Sequence, residues 1–265
     1  MIRDSGQPSL REPWVWGPVL AALIGLMLVL TTDTNRQLFL VLNRLSLYSG
    51  ETLWSYLTLL GDTMVLLTLL LVWVRRRPEL VWAAFLALML ASLWVQGVKL
   101  VVEAPRPVVV LAPASFHMIG PRLSSFSMPS GHTADIFAFA GVVALLSSRR
   151  LVRWLLLCGA LAVSVSRCVV GAHWPLDLLA GMLGGWLSAV AGLWWSARWG
   201  WGVLPAGRLI LAVALLAAAA GLLCFYNTGY GRALVLEQLI AAGCLAVGLW
   251  EVWSARYDLK RADSA

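Results

Sequence analysis

Apolar runs long enough to cross a bilayer recur along the whole chain, separated only by short charged or Pro/Gly breaks. A hydrocarbon core of about 30 Å is crossed by roughly 20 helical residues, and in lipid every backbone polar group must be satisfied within its own segment. The chain is therefore predicted to be an all-α integral membrane protein, because consecutive apolar helices are what such runs can form. Composition agrees: 60% of the 265 residues are hydrophobic and 12% are charged, which excludes an ordinary soluble globular domain. Windows between breaks predict about eight spans near 14–31, 53–74, 80–101, 133–148, 151–170, 177–197, 209–226 and 233–253.

The net charge of +7 does not indicate nucleic acid, since the basic residues sit in short clusters between spans and form no stripe on a soluble face. Loop charge instead predicts orientation. With the N-terminus inside, alternate loops hold thirteen Lys or Arg inside (Arg3, Arg11, Arg75, Arg76, Arg77, Arg149, Arg150, Arg153, Arg198, Arg208, Arg256, Lys260, Arg261) and seven outside (Arg36, Arg44, Lys99, Arg106, Arg122, Arg167, Arg232). Both termini are predicted to be cytoplasmic. The first span follows Arg3 and Arg11, with no small-x-small site after Leu30, and reads as an uncleaved anchor. Gly61 and Asp62 interrupt the second span, so 51–60 reads equally as an interfacial segment, with Asp62 capping the helix that follows. Cys158, Cys168, Cys224 and Cys244 lie singly in apolar stretches, a spacing that argues for neither a metal site nor a disulfide framework.

Residues 102–132 form a long polar connection containing Pro105, Pro107, Pro113, Pro121 and Pro129, and connections of that length are usually functional or disordered. Three polar clusters gather at the predicted outer ends of the third to sixth spans. The first is Lys99-x6-Arg106-Pro107; taken alone, its two cations serve equally as snorkelling anchors. The second, Pro129-Ser130-Gly131-His132, precedes an apolar helix whose unpaired first-turn amides make an anion site, although an ordinary helix cap reads the same way. The third is Ser166-Arg167-x5-His173-x3-Asp177. If Pro175 opens a helix, the four-residue spacing places His173 and Asp177 on one face, with Asp177 holding one ring nitrogen and the other left free. A structural His–Asp pair has the same appearance. Taken together, the clusters supply three cations, a glycine-flanked helix start and two histidines, one with a carboxylate partner. Phosphoryl transfer needs this inventory. No acidic cluster for a divalent metal accompanies it.

The three motifs together resemble the full signature of the type 2 phosphatidic acid phosphatase family, the membrane relatives of vanadium haloperoxidases. Every motif position matches; Met128 stands where an aromatic is common. The resemblance covers roughly residues 30–197 and implies a six-helix phosphatase core there, flanked by an N-terminal tail with most of the first span (1–29) and a two-span extension with a tail (198–265). It further implies His173 as the nucleophile forming a phosphohistidine, Asp177 as its orienting partner, and His132 as the acid for the leaving oxygen and then the base for water. Lys99, Arg106, Ser130, the Gly131 amide and Arg167 would hold the phosphoryl oxygens, with no metal and no other cofactor. His117 matches no motif and is left as a loop residue.

The implied partners are the bilayer and a lipid phosphate in it: undecaprenyl diphosphate, phosphatidylglycerophosphate, phosphatidate or, as a variant, lipid A, with either water or another lipid as acceptor. The site would face the periplasm of a bacterial inner membrane. A non-enzymatic lipid-phosphate binder or transporter is the alternative, but such a site needs cations and neither histidine. The last two spans contain no motif residue and are expected to stand apart from the catalytic centre.

Overall fold

The computed structural model describes residue 9 and residues 11–262, with side chains as far as Glu251. Arg3, and the side chains of Arg256, Lys260 and Arg261 in the charge count, lie outside the described residues. Among the described residues there is no β-strand. The helices are α1 (Pro13–Thr32), α2 (Asn35–Asn43), α3 (Leu45–Ser49), α4 (Glu51–Leu59), α5 (Thr63–Leu70), α6 (Pro78–Val102), α7 (Pro107–Val110), α8 (Gly131–Leu146), α9 (Arg150–Val169), α10 (Pro175–Arg198), α11 (Pro205–Cys224) and α12 (Leu234–Ala262). Proline stands in the first turn of α1, α6, α10 and α11, where its fixed φ suits the helix and its missing N–H costs nothing.

Six helical segments are long and apolar enough to span: Pro13–Thr32, Pro78–Val110, Arg150–Val169, Pro175–Arg198, Pro205–Cys224 and Gly231–Glu251. The chain is an integral membrane protein. Two of the eight expected spans differ from that simple form. One is split, with α4 and the helical stretch Thr63–Trp73 meeting at 59°. The break falls at Gly61 and Asp62, where Asp62 caps α5 by accepting the Met64 and Val65 amides at 2.8 and 3.4 Å. The other is α8, whose 16 residues rise about 24 Å, short of a hydrocarbon core of about 30 Å. Most of α8 is buried, so neighbouring helices rather than lipid surround it.

Helix α10 packs against α8, α6 and α1. Lipid gives little hydrophobic drive between helices, so close backbone approach at small residues must supply the contact. A Cβ on Gly185 would lie 2.2 Å from the Ala134 carbonyl oxygen, and one on Gly181 2.7 Å from the Ser130 carbonyl oxygen. These two glycines set α10 directly against the start of α8. Trp186, fully buried beside them, donates its indole N–H to the Val15 carbonyl at 2.9 Å and so ties α1 to the same helix.

The long connection is held in place rather than loose. Asn43, at the end of α2, accepts the His117 amide at 2.7 Å and donates to the carbonyls of His117 and Val169 at 2.7 and 2.9 Å. The Trp174 indole donates to the Pro105 carbonyl at 2.8 Å, and the Ser127 amide to the Ala104 carbonyl at 2.8 Å. His117 remains a loop residue, paired with Glu51 at 2.8 Å. All four cysteines are free.

Candidate active site

The three motifs, separated by up to 78 positions (Lys99 to Asp177), converge at one end of the bundle. The end of α6 and the loop after it bring Lys99 and Arg106, the start of α8 brings Ser130, Gly131 and His132, and the turn between α9 and α10 brings Arg167, His173 and Asp177. Pro175 opens α10 as its sequence position predicts, but His173 lies outside the helix. The expected shared helical face is replaced by a cap. Asp177, in the first turn, reaches back so that one carboxylate oxygen, Oδ2, accepts the Trp174 amide at 2.8 Å and the His173 Nδ1 proton at 3.1 Å. Ser127 donates its hydroxyl to the same oxygen. Three donors on one oxygen fix the carboxylate, and the carboxylate fixes the ring.

His173 is thereby placed in a defined tautomer. With Nδ1 protonated toward Asp177, Nε2 is the acceptor, and Arg106 Nη1 donates to it at 3.1 Å, so the nitrogen expected to be left free carries a hydrogen bond from the guanidinium. Burial, reinforced by the guanidiniums of Arg106 and Arg167, holds His173 well below the ordinary imidazole range. A neutral imidazole so held can act as a nucleophile toward phosphorus once a phosphoryl group draws the Arg106 guanidinium off Nε2.

The cations are themselves oriented. Arg106 is buried and donates from Nε to the Ser125 carbonyl at 2.8 Å, from Nη1 to the Ala172 carbonyl at 2.9 Å, and from Nη2 to the Ser125 hydroxyl and Phe126 carbonyl at 3.2 and 3.3 Å. Arg167 is buried and donates through Nη1 to the Thr58 hydroxyl and, at 2.7 Å, to the Tyr230 hydroxyl, while its Nε has no hydrogen-bond partner. Lys99 stands half-buried in the last turn of α6.

Ser130 caps α8, its Oγ accepting the Thr133 amide at 3.4 Å and the Thr133 hydroxyl at 3.1 Å; its own amide donates to the Asp177 carbonyl at 2.9 Å. That last bond joins the second motif to the third. The Gly131 amide is one of the first-turn donors that no helical carbonyl can satisfy. His132 follows, with Nε2 buried and without a hydrogen-bond partner; the nearest carboxylate oxygen, Asp62 Oδ2, is 4.0 Å away. Gly61 permits that approach, since a Cβ there would sit 3.0 Å from the His132 Cβ. Met128, the one departure from the usual motif, joins Pro129 through a cis peptide bond.

Residues 80–201 match the PAP2 superfamily. Over 160 residues the chain is 31% identical to an undecaprenyl-diphosphatase of Sulfolobus acidocaldarius, covering 58% of this chain and 75% of the relative. The chain belongs to the PAP2 superfamily. It is a hydrolase of phosphate esters, and all eight candidate residues fall within the matched stretch. Among solved structures, Aquifex aeolicus LpxE superposes with a TM-score of 0.52 at 29% identity, over 60% of this chain and 94% of that one. A transmembrane PAP2-type phosphatidylglycerolphosphate phosphatase from Bacillus subtilis shares the fold with a TM-score of 0.54 at 20% identity, over 71% of this chain and 98% of that one.

Several contacts to these PAP2 residues come from positions that no motif contains. Ser127, in the long loop, meets Asp177; Thr58, near the end of α4, and Tyr230, in the turn between α11 and α12, meet Arg167; Asp62, in the break before α5, stands 4.0 Å from His132 and is itself met by Tyr226 of that same turn. The last two spans, 209–226 and 233–253, were expected to stand apart from the centre; Tyr226, at the end of the first, reaches Asp62, and Tyr230, in the turn between them, bonds to Arg167. Asp62 was legible as a cap; its approach to His132 was not.

Proposed function

We propose that the protein hydrolyses a membrane lipid phosphate or diphosphate without a metal, through a phosphohistidine on His173 Nε2. The observation that carries this reading is the position of His173, with Asp177 on Nδ1 at 3.1 Å and Arg106 on Nε2 at 3.1 Å. A site that only bound anions would need the cations but no oriented lone pair.

In the first half-reaction the Nε2 lone pair forms the N–P bond as the P–O bond to the leaving group breaks, and His132 gives its proton to the departing oxygen. In the second, His132 takes a proton from water, whose oxygen attacks phosphorus, and the N–P bond breaks to release inorganic phosphate and restore the imidazole. Lys99, Arg106, Arg167, Ser130 and the Gly131 amide hold the equatorial oxygens, where charge spreads in the transition state.

A lipid substrate is supported by a mainly apolar groove of about 340 Å³ between α5 and α6, lined by Leu67, Phe85, Leu88, Met89 and Leu93 together with the polar Thr63, Ser92 and Gln96. Thr63 adjoins Asp62 and hence the His132 side of the site. A prenyl or acyl tail lying there would leave its head group at the motifs. The undecaprenyl-diphosphatase relative favours an isoprenyl diphosphate.

In the proposed topology the split span and α8 both count as crossings, making eight with both termini cytoplasmic, and the site faces the periplasm of a bacterial inner membrane. The thirteen-to-seven division of basic residues supports this orientation. The test is phosphate release by the purified protein from undecaprenyl diphosphate, phosphatidylglycerophosphate, phosphatidate and lipid A. Release is expected from at least one of them, and most rapidly from the isoprenyl diphosphate. No release from any would contradict the reading.

A further inference from the structure

The turn between α11 and α12 lies beyond residues 80–201, yet one of its tyrosines bonds to Arg167 and another to Asp62, the neighbour of His132. Tyr230 is buried, and its ring rests against Gly120 of the long loop, where a Cβ would lie 2.5 Å from Tyr230 Cε1. The Arg167 guanidinium carbon is 5.8 Å from the ring centroid, and Nη1 donates to the Tyr230 hydroxyl at 2.7 Å. Thr58, from α4, takes a second bond from the same nitrogen. Arg167 is therefore gripped by two hydroxyls from opposite ends of the chain, neither of which belongs to a motif. A planar guanidinium meets phosphoryl oxygens well only in the correct plane, and the tyrosine supplies both a face and an acceptor to set that plane.

Tyr226 acts on the other side of the centre. Its hydroxyl donates to Asp62 Oδ2 at 2.8 Å, the oxygen that lies 4.0 Å from His132 Nε2. Asp62 Oδ1 is occupied by the Met64 and Val65 amides, so Tyr226 fixes the one oxygen that faces His132. No hydrogen bond joins the two at 4.0 Å, so a carboxylate held there acts on the ring by charge, drawing the protonated imidazole toward it. The turn itself is anchored. Arg232 pairs with Glu51 at 2.8 Å, Glu237 accepts the Thr228 hydroxyl at 2.6 Å, and a Cβ on Gly229 would lie 2.9 Å from Pro121.

Resting on the reading of Arg167 as a phosphate clamp and His132 as the proton donor, we infer that this C-terminal turn completes the catalytic centre: Tyr230 positions Arg167 for the phosphoryl oxygens, and Tyr226, through Asp62, positions His132 for proton transfer. Both are positioning residues. The extension thus does more than add helices to the bundle, because it supplies a support to each half of the chemistry.

The two tyrosines should fail differently, and that difference is the test. Full-length Tyr230→Phe and Tyr226→Phe are compared with the unmodified protein by orthovanadate affinity and by turnover of two substrates, a short-chain alkyl phosphate and an aryl phosphate with an acidic leaving group. Tyr230→Phe keeps the ring but loses the hydroxyl; vanadate affinity should fall about tenfold, and KM should rise for both substrates, the size expected when one hydrogen bond to a charged group is lost. Tyr226→Phe should leave vanadate affinity within about twofold, lower kcat for the alkyl phosphate about tenfold, and largely spare the aryl phosphate, whose leaving group needs little proton donation.

Wild-type behaviour in both variants would overturn the inference. So would parallel loss of affinity and turnover on both substrates with a lowered melting temperature, which would make the turn a brace only. Failure of the functional reading is separate: an unmodified protein that binds vanadate and cleaves the aryl phosphate but no lipid would refute the lipid substrate and leave the tyrosine comparison standing. An unmodified protein that does neither would overturn both.

Discussion

Replacing Asp177 by Asn tests the most specific feature of the site, because the substitution changes charge while keeping shape. Asp177 Oδ2 accepts from Trp174, His173 and Ser127. An amide oxygen turned into that place can keep the Trp174 and His173 bonds, so the helix start and the Nδ1-protonated tautomer survive. What is lost is the negative charge beside the ring. In the transition state, Nε2 gains a bond to phosphorus and the imidazole becomes cationic. With Nδ1 3.1 Å from Oδ2, the charge centres are about 4 Å apart, which at an effective dielectric of about 20 corresponds to about 4 kcal/mol.

That energy converts to roughly a thousandfold slower phosphoenzyme formation. Binding of lipid phosphate, which rests on the cations, should change less than about threefold, since a ground-state imidazole is neutral and owes the carboxylate little. Single-turnover quench measurements with labelled lipid, alongside equilibrium binding, separate the two quantities. A rate within about fivefold of the unmodified protein would refute the electrostatic role of Asp177. A binding loss as large as the rate loss would show that the carboxylate acts by holding the site together.

Turnover should survive EDTA, because among the described residues no group of three His, Cys, Asp or Glu is placed to hold a metal, and three side-chain cations are available to neutralise developing charge; loss on chelation with recovery on adding magnesium would refute the metal-free scheme. His132→Ala should slow both half-reactions by about 10²–10⁴-fold, with a diphosphate rescued relative to a monophosphate in the first step because its leaving group is already acidic; equal loss on both would argue against an acid role. Gly185→Ala places a Cβ 2.2 Å from the Ala134 carbonyl oxygen, so α8 and α10 must separate at a cost of about 1–3 kcal/mol. Thermal melting in detergent should show a clear drop, and an unchanged midpoint would mean that the helices part freely there.

Much of the site was legible because its chemistry is written in three short motifs whose internal spacing carries geometry. Pro175 announces the start of α10 and puts Asp177 in its first turn, four residues after His173, so the pairing was legible; the route was not, since the carboxylate reaches back past Trp174 to a ring outside the helix instead of meeting it on a shared helical face. Asp62 was legible as a cap for the same local reason. Contacts made across long stretches of sequence were not. Thr58 and Tyr230 meet Arg167 from 109 and 63 residues away, and a tyrosine in a polar turn looks the same whether it faces lipid head groups or a buried guanidinium. The break at Gly61 and Asp62 was legible as well; hydropathy overstated α8, whose 16 residues fall short of a span because protein, rather than lipid, surrounds most of it and relieves it of matching the bilayer.

Which atom becomes bonded to phosphorus decides between His173 and His132 as the nucleophile. Rapid-quench trapping with lipid labelled in its phosphate, followed by peptide mapping under alkaline conditions that preserve phosphohistidine, reads this out. Label should appear on His173, vanish in His173→Ala together with turnover, and persist in His132→Ala with slower formation and decay. Label on His132 in the His173→Ala protein, or continued turnover without His173, would contradict the assignment.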